Sequence, residues 1–294
     1  MRTLLVARIA VIAATVASLA ACGAGQSARE GTRAPPSTGT VTPSAAPPAT
    51  VQPSTPSPQP SGTTAPAPPG TTAPAPPGTQ PVTGWLAGKD WTAISTTRRV
   101  VALTFDAGAN ADAVPSILAT LRRENATATF FLTGNFVRDY PAAARSIAAA
   151  GFRIGNHTIS HPHLTQLSDA AVRREILGGA RQISSVTGKD PAPLFRFPFG
   201  DSDARTITLA NQAGYVPVRW TVDTLGWQGT AGDVTASVVV SRVLSAARPG
   251  EIVLMHVGSN PDDHTTFDAD ALPAVISGLR AQGYSFVTLD ALTG

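Results

Sequence analysis

Val100-Val-Ala-Leu-Thr-Phe105 is a nearly unbroken apolar run that ends on a carboxylate, Asp106, followed by Ala107 and Gly108. A short run of this kind, apolar on both faces, reads as a strand of a parallel sheet covered by helices. Comparable runs recur at 128–132, 152–155, 194–197, 216–221, 251–256 and 285–289. Between them, apolar residues at helical spacing predict helices over 113–123, 141–150, 169–186, 204–213, 235–247 and 270–282. Several of these stop at a glycine (Gly151, Gly188, Gly214, Gly283), as a helix C-terminus does. Seven strands with intervening helices predict a barrel-like or doubly wound α/β domain.

The polar residues fall where such a fold would use them. Asp106 closes the first strand, and His157 and His161 follow the third. Arg196 lies in the fourth, Asp223 follows the fifth, and His256 ends the sixth. Parallel strands point their C-terminal ends to one side, and barrel enzymes build their sites on that rim. Five separate segments thus deliver ionisable groups to one place.

His157-Thr-Ile-Ser-His161 sets two imidazoles at i and i+4, which on a helical turn project from one side and can chelate one ion. The plain alternative is a pair of ordinary hydrogen-bonded histidines, and His163 reads as a loop residue. Asp106 is either a solvated or capping carboxylate, or a general base that activates a metal-bound water. Arg196 can hold that base ionised through a charge-assisted bond. His256 suits the acid that protonates a departing amine, because an imidazole titrates near neutrality.

Outside this region the chain changes character. Arg2 and Arg8 precede an apolar run over 9–21 that is too short to span a bilayer, which takes roughly 20 residues. It reads as a secretory signal, and Leu19-Ala-Ala-Cys22 resembles a bacterial lipobox, so residues 1–22 are expected to be a lipoprotein signal with Cys22 as the lipid-bearing residue. Cys22 is the only cysteine in the chain, which excludes an intrachain disulfide. Residues 23–81 are rich in Pro, Thr, Ala and Gly, and the stretch 62–69 repeats directly over 70–77. That composition cannot offset the entropy of ordering. It predicts a spacer, with a reach on the order of 150 Å at ~3.1 Å per residue. Four arginines and one acid precede residue 82 and account for the net charge of +3, so the domain at 82–294 is near neutral. Clustered basic charge on the folded part, the footprint of a nucleic-acid binder, is missing.

The ordered motifs of 98–292 resemble the NodB-type polysaccharide deacetylases, carbohydrate esterase family 4. They read Thr104-Phe-Asp-Ala107, His157-Thr-Ile-Ser-His161, Arg196-Phe-Pro-Phe-Gly200, Asp223-Thr-Leu-Gly-Trp227 and Leu254-Met-His256. The resemblance implies a distorted seven-stranded (β/α) barrel, TIM-like, with a divalent metal, commonly zinc. It implies Asp106 as base, His157 and His161 as metal ligands, and His256 as acid. It also implies Arg196 bracing the base, the Phe199 N–H at the oxyanion, and Trp227 lining the cleft. Two positions depart from the family. Ala107 stands where a third metal ligand is expected, and Gly226 where a carboxylate orients the catalytic histidine. Asn110 or Asp112 are candidates to supply the missing ligand, and Asp223 to orient His256. The expected protein is a monomer outside the cytoplasm, anchored to the membrane through Cys22. It would remove N-acetyl groups from an amino-sugar polymer such as peptidoglycan. An O-acetyl esterase of xylan or wall polymers, and a catalytically weak glycan-binding module, are the alternatives.

Overall fold

The computed structural model describes residues 80–293. The signal run, Cys22 and the spacer up to residue 79 lie outside the described residues. The strands are β1 (Val100–Ala107), β2 (Thr129–Leu132), β3 (Arg153–Asn156), β4 (Leu194–Phe195), β5 (Val216–Pro217), β6 (Val222–Asp223), β7 (Glu251–His256) and β8 (Ser285–Phe286). The helices are α1 (Val114–Arg123), α2 (Gly134–Asp139), α3 (Pro141–Ala149), α4 (Asp169–Thr187), α5 (Ala204–Gln212), α6 (Ala236–Ala246), α7 (Phe267–Ala281) and α8 (Asp290–Thr293).

All pairings between these strands are parallel, in the order β5-β4-β3-β2-β1-β7-β6, and β8 pairs with the first residues of β1. This curled seven-strand path is the distorted barrel the motifs imply. β1 is buried along its whole length, and alternate residues serve different layers. Val101, Leu103, Phe105 and Ala107 join the core under the helices, together with Ile117, Leu121, Leu272 and Val275. Ala102 joins Phe131, Val216, Val218 and Ile252 in the barrel interior. The inward register of β1 therefore runs Ala102, Thr104, Asp106, and it brings the carboxylate to the interior face at the strand's C-terminal end.

The run at 216–221 is not one strand. β5 pairs with β4, whereas β6 pairs with β7 at the far end of the sheet. The chain must cross from one end to the other between Pro217 and Val222, so it cannot stay in one ladder. The segment before β1 fills the gap. Trp91 pairs with Val218 and Ala93 with Glu251. Their backbone bonds are Trp91 N–H to Pro217 O at 3.0 Å, Arg219 N–H to Trp91 O at 2.7 Å and Ile94 N–H to Gly250 O at 2.8 Å. β4 ends before 197 because the chain turns at Pro198, which has no N–H for a ladder.

The expected helices form, and the four glycines that end them all have positive φ, including Gly188 at 67° after α4. Helix α2 was not predicted, being only six residues long and starting with glycine. It is capped by Thr133, whose hydroxyl accepts from Phe136 N–H at 3.0 Å. Helix α7 starts three residues earlier than predicted, which places Asp268 in its first turn. Among the described residues no helix is long and apolar enough to cross a membrane.

Candidate active site

Asp106, His157, His161, Phe199, Asp223, Trp227 and His256 line one cleft of about 600 Å³ at the C-terminal rim of the sheet. Arg196 lies directly beneath it, with no exposed surface. Its three guanidinium nitrogens are all used: Nη1 donates to Asp106 Oδ1 at 2.7 Å, Nε to Val218 O at 3.1 Å and Nη2 to Arg219 O at 3.0 Å. Its Cζ lies 4.1 Å from the centre of the Phe131 ring. A lysine could not make this set of contacts, because the forked donors are what span Asp106 and two carbonyls.

Burial alone would raise the Asp106 pKa, but the Arg196 guanidinium, followed by His157 and His256, holds it below the ordinary carboxylate range. Asp106 is thus a buried carboxylate kept ionised. One oxygen is committed to Arg196, and the other, Oδ2, lies 3.4 Å from His157 Nε2.

The two histidines do not sit on a helical turn. Residues 157–161 form a bend in which Thr158 and His161 have positive φ, 72° and 60°. The bend is held from outside. Glu175 of α4 accepts from the N–H groups of Ile159 and Ser160, both at 3.0 Å, and the Thr158 hydroxyl accepts from His161 N–H at 3.0 Å. The result still brings the rings together, edge to face with centroids 4.7 Å apart. His157 Nδ1 is 2.9 Å from Arg196 O, which can only accept, so Nδ1 carries the proton and Nε2 presents its lone pair. Burial lowers the pKa of His157, and that of His161 to about 4, so both rings are neutral.

Phe199 has φ 60° in the turn after Phe197 and is 55% exposed, and Trp227 is 48% exposed. These two aromatic faces border the cleft, and His163 stacks on Phe199 at 4.1 Å while pairing with Asp201. Trp85, equally exposed, packs edge-on against Trp91 and does not line the cleft.

Residues 93–218 match the polysaccharide deacetylase family. A peptidoglycan-N-acetylglucosamine deacetylase of Bacillus cereus is 35% identical over 192 residues, covering 65% of this chain and 67% of the relative. A chitooligosaccharide deacetylase of Azorhizobium caulinodans is 30% identical over 204 residues, 67% of this chain and 95% of its own. The chain belongs to the polysaccharide deacetylase family. It is a deacetylase hydrolase of the same fold as the Bc1960 peptidoglycan N-acetylglucosamine deacetylase, with a TM-score of 0.63 at 33% identity over 68% of this chain and 91% of that one. A family 4 pseudoenzyme from Bacillus anthracis shares the fold as well, with a TM-score of 0.61 at 29% identity over 67% of this chain and 66% of that one. The polysaccharide deacetylase fold therefore carries both outcomes, and individual side chains decide between them.

Two neutral imidazoles and a nearby carboxylate are a donor set that suits a borderline divalent ion such as zinc. His157 Nε2 and Asp106 Oδ2, 3.4 Å apart and both bearing lone pairs, form an apposition that nearby positive charge would relieve. The fit stops at two imidazole anchors. Ala107 belongs to the apolar core under the helices, and among the described residues no three His, Cys, Asp or Glu side chains form a metal-holding group. Neither expected substitute points to the site. Asn110 is bonded through both side-chain atoms to the Ser259 backbone, at 2.8 and 3.0 Å, and Asp112 accepts from the Ser259 hydroxyl at 2.5 Å.

The second departure has a different outcome. Asp223 lines the cleft, but its carboxylate accepts from Leu225 N–H at 2.9 Å, and burial raises its pKa. The group nearest the His256 imidazole on its Nδ1 side is Asp268, with Oδ2 at 3.6 Å from Nδ1 and 2.8 Å from the His256 backbone N–H. Asp268 was not singled out in the sequence. The available signal was Gly226, a glycine where an acid is expected, which calls for an acid from elsewhere.

Proposed function

We propose that this polysaccharide deacetylase removes N-acetyl groups from an amino-sugar polymer, peptidoglycan or a related extracellular glycan. The observation that carries the reading is the ionised Asp106, locked by Arg196, beside His256 on the neighbouring strand in a cleft that two neutral histidines also line. A divalent ion held by His157 and His161 would supply Lewis acidity toward the acetamide carbonyl and the hydrolytic water. Asp106 accepts the water proton through Oδ2, because Oδ1 is spoken for by Arg196. The Phe199 N–H stabilises the oxygen of the tetrahedral adduct. His256 then donates its proton to the amide nitrogen as the C–N bond breaks, which releases acetate and a free amino sugar. Asp223 stays at the cleft wall, and the exposed rings of Phe199 and Trp227 offer stacking faces for neighbouring sugars. Lipid attachment at Cys22, with a monomeric catalytic head on the 23–81 spacer outside the cytoplasm, supplies the location.

The Ala107 core position and the likeness to a family 4 pseudoenzyme favour one second reading, a catalytically weak glycan-binding module. Acetate release separates the two. Metal-stripped and zinc-reloaded protein is assayed on N-acetylglucosamine oligomers, peptidoglycan and acetylated xylan. Release from the N-acetyl substrates, dependent on reloading, supports the proposal. Release from xylan alone turns it into an O-acetyl esterase, and glycan binding without release leaves the binding module.

A further inference from the structure

Gly226 and Asp268 meet at the back of the His256 imidazole, far apart in sequence and in contact in space. A β-carbon added to Gly226 would fall on the Asp268 carboxylate, 2.5 Å from its Cγ. The absent side chain at 226 and the carboxylate at 268 therefore compete for one volume. Asp268 is 3% exposed and fully engaged. Oδ1 accepts from the Thr224 hydroxyl at 2.6 Å, and Oδ2 accepts from His256 N–H at 2.8 Å, which fixes the carboxylate at both ends. His256 Nδ1 is buried and has no hydrogen-bond partner among the described residues, and the atom facing it is Asp268 Oδ2 at 3.6 Å. That separation lies only just beyond bonding distance.

We propose that Asp268 is the positioning residue for His256, a carboxylate delivered from the first turn of α7 into the space that Gly226 leaves open. The inference rests on His256 acting as the acid of the deacetylation reaction. In that role Asp268 holds the imidazole with Nδ1 protonated, which turns Nε2 toward the cleft and favours the charged ring before proton transfer. The other charged or titratable groups coupled to His256 are Asp106 of β1, Asp223 of β6, and His157 and His161 of the bend. The two aspartates also favour its protonated form, while burial, with the His256 charge adding to it, keeps the two histidines neutral. Gly226 becomes a requirement rather than a loss, since any side chain there displaces Asp268.

The test is a swap. Asp268→Asn keeps the size and one acceptor, so the fold is expected to hold. It should lower kcat at least about 30-fold, move KM less than twofold, and shift the alkaline limb of the kcat profile to lower pH. Gly226→Asp alone should also lose activity, because two carboxylates cannot share the site. The double variant Gly226→Asp, Asp268→Ala restores a single carboxylate and should recover at least tenfold over Asp268→Ala. Histidine NMR reads the same question without turnover, on a chain with five histidines. His256, assigned from His256→Ala, should titrate about one unit lower in Asp268→Asn. An unchanged His256 titration, or a double variant that folds and is no better than either single one, overturns the proposal. If even the wild type releases no acetate, the deacetylation reading fails, and the His256 titration still decides the placement of Asp268.

Discussion

Asp106 and His256 are register partners on β1 and β7, the two longest strands, so their side chains leave the same face of the sheet on adjacent strands. Neighbouring strands run about 4.8 Å apart. A base and an acid set on that spacing can reach the two sides of one small planar group, such as an acetamide, without any loop having to move. The pairing belongs to the ladder itself, which makes the distance between the two groups a property of the fold.

Asp106→Asn and His256→Ala should therefore each reduce turnover by at least about 100-fold, at the low end of general acid–base contributions. His256→Ala should move thermal stability little, whereas Asp106→Asn leaves the buried Arg196 guanidinium without its counter-charge and should lower the Tm as well. Acetate-release kinetics beside a melting curve checks both. A variant that keeps near-normal turnover removes its residue from the mechanism.

Arg196→Ala is expected to act differently. It strands a buried carboxylate and frees two carbonyls, so a stability loss of about 3–5 kcal/mol should accompany the loss of activity. Arg196→Ala with Asp106→Asn should lose less than the sum of the single variants, because the uncompensated charge is gone. Chemical denaturation of the four proteins measures the coupling, and strict additivity would contradict the ion pair.

Ala107→Asp tests the two-imidazole anchor. The methyl group is fully buried in an apolar cluster, so a carboxylate there should destabilise the metal-free protein by a few kcal/mol. If the new oxygen reaches the histidines, zinc should raise the Tm of the variant more than that of the wild type, through binding to the folded state alone. Equal zinc shifts would show that position 107 does not face the metal.

Glu251 gives a pH signature away from the cleft. It is fully buried at the start of β7, neither carboxylate oxygen has a hydrogen-bond partner among the described residues, and burial pushes its pKa up to about 7. Its folded pKa lies above the unfolded value, so between about 4.5 and about 7 the folded state holds more of this proton and stability falls as pH rises. Above about 7 the slope from this group ends. Glu251→Gln should remove that part of the slope and raise the Tm at pH 8 by several degrees. Parallel Tm-against-pH curves for wild type and variant would exclude the assignment.

Anchoring has its own test. Cys22→Ala should move the protein from the membrane fraction to soluble or unprocessed pools, and deletion of 23–81 should leave turnover on small soluble substrates unchanged. Unaltered membrane partitioning of Cys22→Ala speaks against lipid attachment there.

The strand pattern and the rim residues were legible because each depends on local sequence: apolar runs make the strands, and the polar residue ending each run lands on one rim. What could not be read locally was which end of the sheet a run would join. The run at 216–221 reads as one strand, yet only its first two residues join β4 and the pairing with β7 falls just past its end, at 222–223, a consequence of closure that no window of sequence contains. Asp268 escaped for the same reason. Its partner His256 is twelve residues away along the chain, and the glycine that admits it is forty-two away. The imidazole pair was found from an i, i+4 spacing, although its geometry comes from a bend braced by Glu175.

The stitch of Trp91–Ile94 between β5 and β7 has a consequence for how the molecule can be cut and pulled. The family match starts at residue 93, inside that stitch. A protein trimmed there loses the Trp91 pairing and exposes unpaired backbone around Pro217 and Arg219, the kind of bare edge that recruits other chains. Upstream of the stitch, the N–H groups of Val82 and Gly88 bond to Asn211 of α5, so tension transmitted through the preceding residues would meet those two bonds and then the backbone bonds of the stitch. They hold the seam in shear, across contacts more than 120 residues apart in sequence. Such distant partners meet late in folding, which would make the closing of this seam the step that finishes the barrel, and its opening an early step in mechanical failure.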